Sequence, residues 1–305
     1  MSSKATRDAF GEALRKLGSE MPNIVVLDAD LSCSTKSILF AKEFPGRFFQ
    51  MGIAESNMVG TAAGLSFTGF VPFLCSFGCF LAGRYETIRV SVGYSNANVK
   101  IVGTHAGLGT GEDGYTQMGL EDINTLRALP NFTILQPCDE VTTAAAVRFA
   151  ATHVGPVYLR LTRQKLPAIH KNENAFQAGR GIILQEGNDV ALIGTGACVA
   201  EVAGAAQTLA DIRPWVIDIH TIKPIDRTLI KTLASKCRLI VTAEDHNVVG
   251  GLGTTVAELL CEIGFSGKLL RIGVEKYGES GKAEELYEKY GISAKRIAER
   301  VRGMV

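Results

Sequence analysis

Residues 51–80 read MGIAESNMVGTAAGLSFTGFVPFLCSFGCF. This stretch predicts a helix over 55–68, in which Met58, Ala62 and Ala63 leave room for close packing. A buried strand over 71–75 and a second helix over 80–94 follow. A strand between two helices is the repeating unit of a parallel sheet that helices cover on both faces.

The same alternation continues in both directions. In the first half it predicts helices at 6–19 and 140–152, the latter capped by Asp139, and strands at 24–30, 99–105, 132–137 and 156–161. In the second half it predicts strands at 189–196, 214–221, 238–245 and 268–274, with helices at 198–210, 226–236 and 252–264. Between them, KLPAIHKNENAF is polar and lacks periodicity. We therefore predict two α/β domains, 1–165 and a smaller one at 189–305, joined by a linker over 166–188.

Composition narrows the class of protein. The chain has 305 residues, of which 46% are hydrophobic and 21% charged, and its net charge is +1. This hydrophobic content argues against disorder, and the small net charge argues against an electrostatic field that would attract nucleic acid. The polar start and the lack of a long uncharged apolar run predict a cytoplasmic protein without a signal peptide or membrane span. Seven cysteines without metal-ligand spacing predict free, mostly buried thiols rather than disulfides or a zinc site.

Glu55 is the first candidate for chemistry. It lies where an extended segment enters the small-residue helix. A carboxylate that enters apolar surroundings is costly unless it is hydrogen-bonded or protonated, which would suit a functional group. An acidic residue in the first helical turn is also favoured by the helix dipole. Spacing alone leaves both interpretations open.

A resemblance to a known family favours the functional interpretation of Glu55. GIAESNM, followed 25 residues after Glu55 by Phe80 at the end of SFGCF, resembles the pyrimidine-binding module of thiamine-diphosphate enzymes, and most closely transketolase and deoxyxylulose-phosphate synthase. The resemblance implies a pyrimidine-type parallel-sheet domain followed by a transketolase C-terminal domain. It also implies that Glu55 binds and activates the aminopyrimidine, that Phe80 stacks on it with Phe77 alongside, and that Asp30 lies near the thiazolium.

A second motif is THAGLGTGEDGYTQMGLED at 104–122. Its glycines suit close approach of a ligand, and His105 and Asp113 follow a predicted strand. The motif resembles the substrate loop of transketolase, which implies that His105 contacts substrate and Asp113 recognises a hydroxyl. The family's second histidine is replaced by Gln117, which can form hydrogen bonds but cannot carry a proton at neutral pH. The identity of the sugar is therefore open.

Three further residues resemble the family's phosphate pocket: Arg7, Ser34 and Arg163. Two guanidinium groups and a hydroxyl would suit a phosphate, because arginine offers a planar and permanently charged donor fork.

The C-terminal half carries two patterns that we interpret as structural. GTGACV at 194–199 is an incomplete glycine fingerprint and favours a tight strand-to-helix turn over a dinucleotide site. TAEDHNVVGGLG at 242–253 places Glu244, Asp245 and His246 together, but its resemblance to the transketolase C-terminal domain implies a structural cluster rather than a metal site.

The sequence has no Gly-Asp-Gly motif, by which thiamine-diphosphate enzymes hold Mg²⁺ and the diphosphate. The resemblance therefore implies the C-terminal half of a split transketolase, whose N-terminal partner chain supplies that motif in an α2β2 assembly. The implied reaction is transfer of a two-carbon ketol unit from a ketose phosphate to an aldose. Alternatives are a related reaction on a branched or sulfonated sugar, a deoxyxylulose-phosphate synthase-like reaction, the β-subunit of a 2-oxo acid dehydrogenase, and an inactive regulatory partner.

Overall fold

The computed structural model describes residues 3–172 and 176–305. The strands are β1 Ser3–Ala5, β2 Ile24–Asp28, β3 Phe48–Gln50, β4 Val71–Phe77, β5 Lys100–Thr104, β6 Thr133–Leu135, β7 Val157–Arg160, β8 Lys165–Pro167, β9 Ile182–Gln185, β10 Val190–Gly194, β11 Trp215–Asp218, β12 Thr221–Lys223, β13 Leu239–Asn247 and β14 Lys268–Val274. The α-helices are α1 Thr6–Glu20, α2 Ser32–Thr35, α3 Ile38–Glu43, α4 Glu55–Phe67, α5 Gly78–Ala82, α6 Tyr85–Ile88, α7 Asp122–Arg127, α8 Glu140–Thr152, α9 Cys198–Thr208, α10 Arg227–Lys236, α11 Leu252–Glu262, α12 Ala283–Lys289 and α13 Ala294–Arg302.

Two sheets organise the chain. The N-terminal sheet has the order β12-β6-β7-β5-β4-β2-β3, and all its strands are parallel except β12. Its two faces are covered by separate apolar clusters, one including α1 and α8 and the other including α4 and α6. The C-terminal sheet has the order β14-β13-β10-β11-β9 and is mixed, because β9 runs antiparallel to β11. The predicted α/β fold with two sheet domains is confirmed.

Most predicted elements occur, but two are divided. The helix predicted over 80–94 is split into the end of α5, α6 and a π-helical segment Arg89–Tyr94. The single strand predicted over 214–221 is β11 alone, and the chain then crosses to the other sheet as β12. Apolar residues recur from 214 to 222 without a turn signal between them, so the sequence does not show that the two halves of this stretch lie in different sheets.

The stretch predicted as a linker is partly ordered in strands. β8 pairs antiparallel with β1, and β9 forms the edge of the C-terminal sheet. The strands are only three and four residues long, which explains why periodicity missed them. Residues 173–175 of this stretch lie outside the described residues.

None of the helices within 3–172 and 176–305 has the length and apolar character needed to cross a bilayer.

A buried ion pair joins the domains. Arg160 at the end of β7 donates from Nε to Asp122 at 2.9 Å, and both side chains are fully buried. Nη2 of Arg160 reaches the carbonyl oxygens of Gly119 and of Asp245, the latter on β13 of the C-terminal domain. Asp122 also accepts from Tyr158 and lies 3.7 Å from His246. The ion pair therefore fixes the contact between the two sheets.

We expect Asp122→Asn to lower the free energy of unfolding by about 3 to 5 kcal/mol, because it leaves the Arg160 guanidinium buried without a countercharge. Urea unfolding followed by circular dichroism measures this loss. Glu258→Gln is the control, because Glu258 forms an exposed ion pair with Arg127 and should cost less than about 1 kcal/mol. Equal losses in the two variants would contradict a special role for the buried pair.

Candidate functional site

The candidate site lies at the carboxyl end of the N-terminal sheet. β2, β4 and β5 are neighbours, and their last residues are Asp28, Phe77 and Thr104. Loops that leave this edge carry most of the residues that the two motifs predict. Ligands of parallel sheets bind at this edge, so the topology supports the location that the motifs indicate.

Glu55 is the first residue of α4 and is 7% exposed. Ser76 Oγ, on β4, donates a hydrogen bond to Glu55 Oε1 at 3.3 Å. Because Ser76 directly precedes Phe77, this bond ties the carboxylate to the strand end that carries the predicted aromatic pair. Glu55 therefore occupies the helix N-terminus, as the helix-dipole interpretation predicts, and it is also bonded to the strand that leads into the predicted site.

The aromatic residues form a continuous stack. The ring centroids of Phe77 and Phe80 lie 5.4 Å apart at an interplanar angle of 14°, and the ring of His105 lies 3.6 Å from that of Phe77 at 24°. Phe77 and His105 are buried, whereas Phe80 is partly exposed. The stack thus offers an accessible aromatic ring at its Phe80 end.

His105 is held as a neutral imidazole. Burial, followed by the positive charges of Arg7, Arg163 and Lys36, lowers the pKa of His105 to about 3. Arg7 Nη1 lies 3.1 Å from His105 Nε2 and can only donate, so Nε2 accepts. Nδ1 then carries the proton and donates to Thr104 Oγ1 at 3.0 Å. Its backbone is also unusual, since a φ of 55° is uncommon outside glycine.

Cationic groups cluster around His105. Arg7 Nη1 also donates to the backbone oxygen of Ser34 at 3.1 Å, and burial lowers the pKa of Arg7. Its Nε is buried and has no hydrogen-bond partner among the described residues. Arg163 and Lys36 add charge close enough to act on His105. An anion would satisfy the unpaired donor and offset the positive charge.

The predicted role of Asp30 is not tested by its contacts. Asp30 is exposed, its φ is 62°, and its backbone N–H donates to Gln50 Oε1 at 2.6 Å. The neighbouring Asp28 is the buried carboxylate of this turn, and it accepts from Leu31 N, Thr35 Oγ1 and Ser37 Oγ. Asp28 therefore shapes the loop that carries Asp30 and Ser34.

The glycine-rich loop contacts the C-terminal domain at two places. Asp245 of the C-terminal domain accepts from the backbone N–H groups of Leu108 and Gly109 at 2.7 and 3.1 Å. A Cβ at Gly107 would lie 2.2 Å from the Asp245 carboxylate, so only glycine fits there. Farther along, Tyr115 donates to Glu121 and packs edge-on against Tyr277 of the C-terminal domain. The contacts of Asp245 agree with the structural role that the sequence indicated for it.

The last two predicted residues lie at the exposed side of this loop. Asp113 is 3.7 Å from Arg163, which also donates to the carbonyl oxygen of Thr110. Gln117 is partly buried and its Nε2 lies 3.4 Å from Thr116 Oγ1. Among the described residues, neither Gln117 nor Asp30 hydrogen-bonds to the Arg7–His105 pair. The contacts therefore join Arg7, His105, Phe77 and Phe80 into one group, while Glu55 is hydrogen-bonded to Ser76 at the end of the same strand as Phe77.

Comparison with known proteins identifies the family of both domains. The transketolase pyrimidine binding domain matches residues 2–168, and the transketolase C-terminal domain matches residues 179–297. The chain belongs to the transketolase family. That family depends on thiamine diphosphate, and the resemblance stated from the motifs is confirmed.

Two kinds of relatives match the chain. A putative transketolase C-terminal section of Methanocaldococcus jannaschii is 45% identical and is covered over 95% of its length, together with 98% of this chain. Human transketolase is 38% identical, but this chain spans only 49% of it. A solved split-gene transketolase, described as an inactive β4 tetramer, is 43% identical with a TM-score of 0.90 over 99% of this chain and 98% of that one. This chain is therefore a transketolase-family subunit that corresponds to a C-terminal section.

Sequence reasoning missed several residues at the site. Ser76 and Thr104 position Glu55 and His105, and Lys36 adds to the positive charge. The resemblance assigns no role to Ser76 or Lys36, although Ser76 lies within the stretch 51–80. Lys36 has a φ of 71°, which no local pattern predicts for a lysine.

We expect His105 to remain neutral from pH 5 to 8, with the proton on Nδ1. Arg7→Met removes a positive neighbour, which favours the imidazolium and raises the pKa of His105, while burial keeps it below 6.5. Nitrogen-15 NMR of labelled histidine reads both the tautomer and the titration of the five histidines. Arg15→Met is the control, because Arg15 pairs with Glu43 on an exposed surface. Titration of His105 near pH 6.5 in the unmodified protein would contradict the assignment.

Proposed function

We propose that this chain is the catalytic pyrimidine-side subunit of a split transketolase, which transfers a two-carbon ketol unit from a ketose phosphate to an aldose. The observation that carries the proposal is the buried Glu55 carboxylate, bonded to Ser76 beside the Phe77–Phe80 stack. A carboxylate and an accessible aromatic side chain at the end of one strand suit a flat ligand ring that has nitrogen on one edge. The coverage of whole relatives that are themselves C-terminal sections supports a separate subunit.

The residues present fit the aminopyrimidine half of thiamine diphosphate. Glu55 offers a carboxylate to a ring nitrogen, and the partly exposed Phe80 offers a stacking face. When bound, the cofactor supplies an electron sink that allows a carbon–carbon bond next to a carbonyl to break. The role of Glu55 is to hold a proton at the ring nitrogen, and that of His105 is to accept a hydrogen bond from a substrate hydroxyl at Nε2 once Arg7 turns to the substrate.

The other half of the cofactor requires a second chain. The sequence lacks the Gly-Asp-Gly motif, so we assign Mg²⁺ and diphosphate binding to an N-terminal partner in an α2β2 assembly. The relative described as an inactive β4 tetramer supports the view that a chain of this type does not act alone. A cytoplasmic location stays a prediction.

The exposed face of α4 is the surface proposed for this association. Gly60 and Gly64 lie one turn apart on it, and a Cβ at either position would meet nothing within 4 Å in this chain. Glycine in a helix is destabilising, so its presence here without a packing reason inside the chain is informative. Ile53, two residues before the helix, and Phe67, its last residue, are 84% and 65% exposed. A small-residue face with apolar ends suits close packing against another subunit.

The cation cluster supports an anionic sugar as the substrate. Arg7, Arg163 and Lys36 offer charge, and the buried Nε of Arg7 offers a free donor. A phosphate satisfies both, and a sulfonate would as well. Asp113, exposed beside Arg163, is available for a sugar hydroxyl.

A sulfonated sugar is the second candidate, because two observations favour it. Gln117 replaces the family's second histidine. A 6-deoxy-6-sulfo-D-fructose transketolase subunit of Clostridium sp. strain MSTE9 is 38% identical over 95% of this chain and 91% of that subunit. The two candidates share the cofactor residues and differ in the donor sugar.

We expect Glu55→Gln to lower turnover by at least about 100-fold, since the amide cannot hold the proton as the carboxylate does. The subunit is mixed with thiamine diphosphate, Mg²⁺ and an N-terminal transketolase chain from the same source that carries the Gly-Asp-Gly motif. Xylulose 5-phosphate and 6-deoxy-6-sulfofructose serve as alternative donors, with ribose 5-phosphate as acceptor. Glu284→Gln is the control, an exposed glutamate in the first turn of α12. Undiminished turnover in Glu55→Gln, or full turnover of the chain without a partner, would refute the proposal, and the preferred donor decides between the two sugars.

We expect Gly64→Gln to weaken subunit association at least about tenfold without lowering the melting temperature of the dissociated chain. A side chain has open space in the isolated chain, and glutamine favours helix more than glycine. Sedimentation and thermal unfolding measure the two effects. Thr232→Gln on the exposed face of α10 serves as control. Association equal to the control would show that this face is not the interface.

A further inference from the structure

A cluster of buried ligand-type side chains lies between the two domains, away from the motifs described above. Cys138 follows β6 of the N-terminal sheet, Asp218 ends β11 of the C-terminal sheet, and His170 lies between β8 and β9. Their sulfur, oxygen and nitrogen atoms all lie within 4.8 Å of one another. Three segments far apart in sequence thus bring one thiol, one carboxylate and one imidazole to a single point.

The contacts within the cluster converge on one atom. Cys138 Sγ lies 3.4 Å from Asp218 Oδ2, and His170 Nε2 lies 2.9 Å from the same oxygen. The cysteine does not contact the histidine as a nucleophile would contact its base, so the arrangement is unlike a catalytic triad. It is the arrangement of three ligands around a common centre.

The backbone of His170 is held rigidly. Asp139 caps α8 and uses its Oδ2 to accept from the backbone N–H groups of Ile169 and His170, at 2.9 and 2.7 Å. Its Oδ1 is occupied by Thr142. Because Asp139 immediately follows Cys138, the same turn positions the thiol and the imidazole.

Hydrogen bonding within the protein leaves this cluster incomplete. Asp218 Oδ1 and His220 Nε2 are buried and have no hydrogen-bond partner among the described residues. Both residues are fully buried. His220 follows Asp218 by two positions, but its ring nitrogens do not join the group of ligand atoms that lie within 4.8 Å of one another. A buried polar atom without a partner is costly, and Asp218 Oδ1 belongs to one of the three potential ligands.

We propose that Cys138, His170 and Asp218 form a binding site for a zinc-type divalent metal ion, with the fourth position left to a water molecule. This donor set of sulfur, nitrogen and oxygen is the one that zinc prefers. The inference does not depend on the proposed function.

The separations suit a tetrahedral ion. Zinc bonds of about 2.0 to 2.3 Å place neighbouring ligand atoms about 3.3 to 3.6 Å apart. The sulfur–oxygen distance of 3.4 Å lies within that range, and the nitrogen–oxygen distance of 2.9 Å requires a side-chain shift of about half an ångström.

Charge balance also favours a divalent cation. Burial raises the pKa of the Cys138 thiol well above its usual value, so without a metal the sulfur is protonated. When the ion binds, the thiol proton leaves to solvent and the thiolate and carboxylate neutralise its two charges. The imidazole of His170 binds as a neutral ligand. The result is a buried site with no net charge, whose role is to tie both domains to the intervening segment.

Cobalt substitution tests the site, because a thiolate–Co²⁺ bond absorbs in the near ultraviolet. The full-length chain is treated with chelator and titrated with Co²⁺ and then Zn²⁺, with metal content measured after gel filtration. We expect one equivalent of Co²⁺, a thiolate charge-transfer band, and displacement by Zn²⁺. Cys138→Ser should remove the band and weaken Co²⁺ binding at least about 100-fold. Cys261→Ser, at an exposed cysteine, should change neither.

Circular dichroism shows whether Cys138→Ser still folds, and His170→Asn, which keeps the backbone bonds to Asp139, provides a second variant. Loss of the band in either folded variant supports the site. Should neither variant fold, the spectrum of the unmodified chain decides by the presence or absence of the band. No bound Co²⁺ in the unmodified chain, a spectrum without thiolate character, or binding that Cys138→Ser leaves unchanged would overturn the proposal.

Discussion

The guanidinium of Arg160 is the group on which the arrangement of this protein depends. It is buried with Asp122, and its Nε and Nη2 are hydrogen-bonded, while Nη1 has no partner among the described residues. Burying an ion is costly, so these contacts must offset that cost. Nη2 of Arg160 donates to the carbonyl oxygens of Gly119 and Asp245. Gly119 ends the glycine-rich loop, and Asp245 is the residue of the C-terminal domain whose side chain binds that loop. The backbone N–H of Gly119 in turn donates to the oxygen of His105. Arg160 therefore connects the junction between the domains to the backbone of His105. Through this connection the C-terminal domain helps to position the site, although the predicted site residues all lie in the N-terminal domain.

The site shows a cluster of positive charge in which the one imidazole stays neutral. Arg7 donates both to His105 and to the backbone of Ser34, and keeps one buried donor unpaired. A substrate anion that binds Arg7 would compete with His105 for the same guanidinium. His105 Nε2 would then become free to accept a hydrogen bond from the sugar. Binding of the anionic end and contact with the reacting end of a substrate are thus linked through a single arginine.

Much of this was predictable, and the exceptions have physical reasons. Long periodic segments such as 6–19 and 140–152 were predicted closely, because helical periodicity and the Asp139 cap are local signals. Glu55, Phe77, Phe80 and His105 were found through a resemblance in motif, since spacing alone left Glu55 ambiguous. Short strands such as β8 and β9 were missed because their pairing is set by distant residues. The Cys138, His170 and Asp218 cluster was missed for the same reason, as its members are separated by 32 and 48 positions.

The path of β12 has a consequence for how the chain can be divided. After β11 completes its place in the C-terminal sheet, the next residues cross over and pair antiparallel with β6 at the border of the N-terminal sheet. Lys223 then bonds through Nζ to the carbonyl oxygens of Arg127 and Leu129. A fragment that stops before residue 189 would expose the hydrogen-bonding groups of β6 to solvent and invite self-association through that bare border. The two halves are thus distinct in sheet order but joined by strand exchange, so a break in the chain between them would separate paired strands.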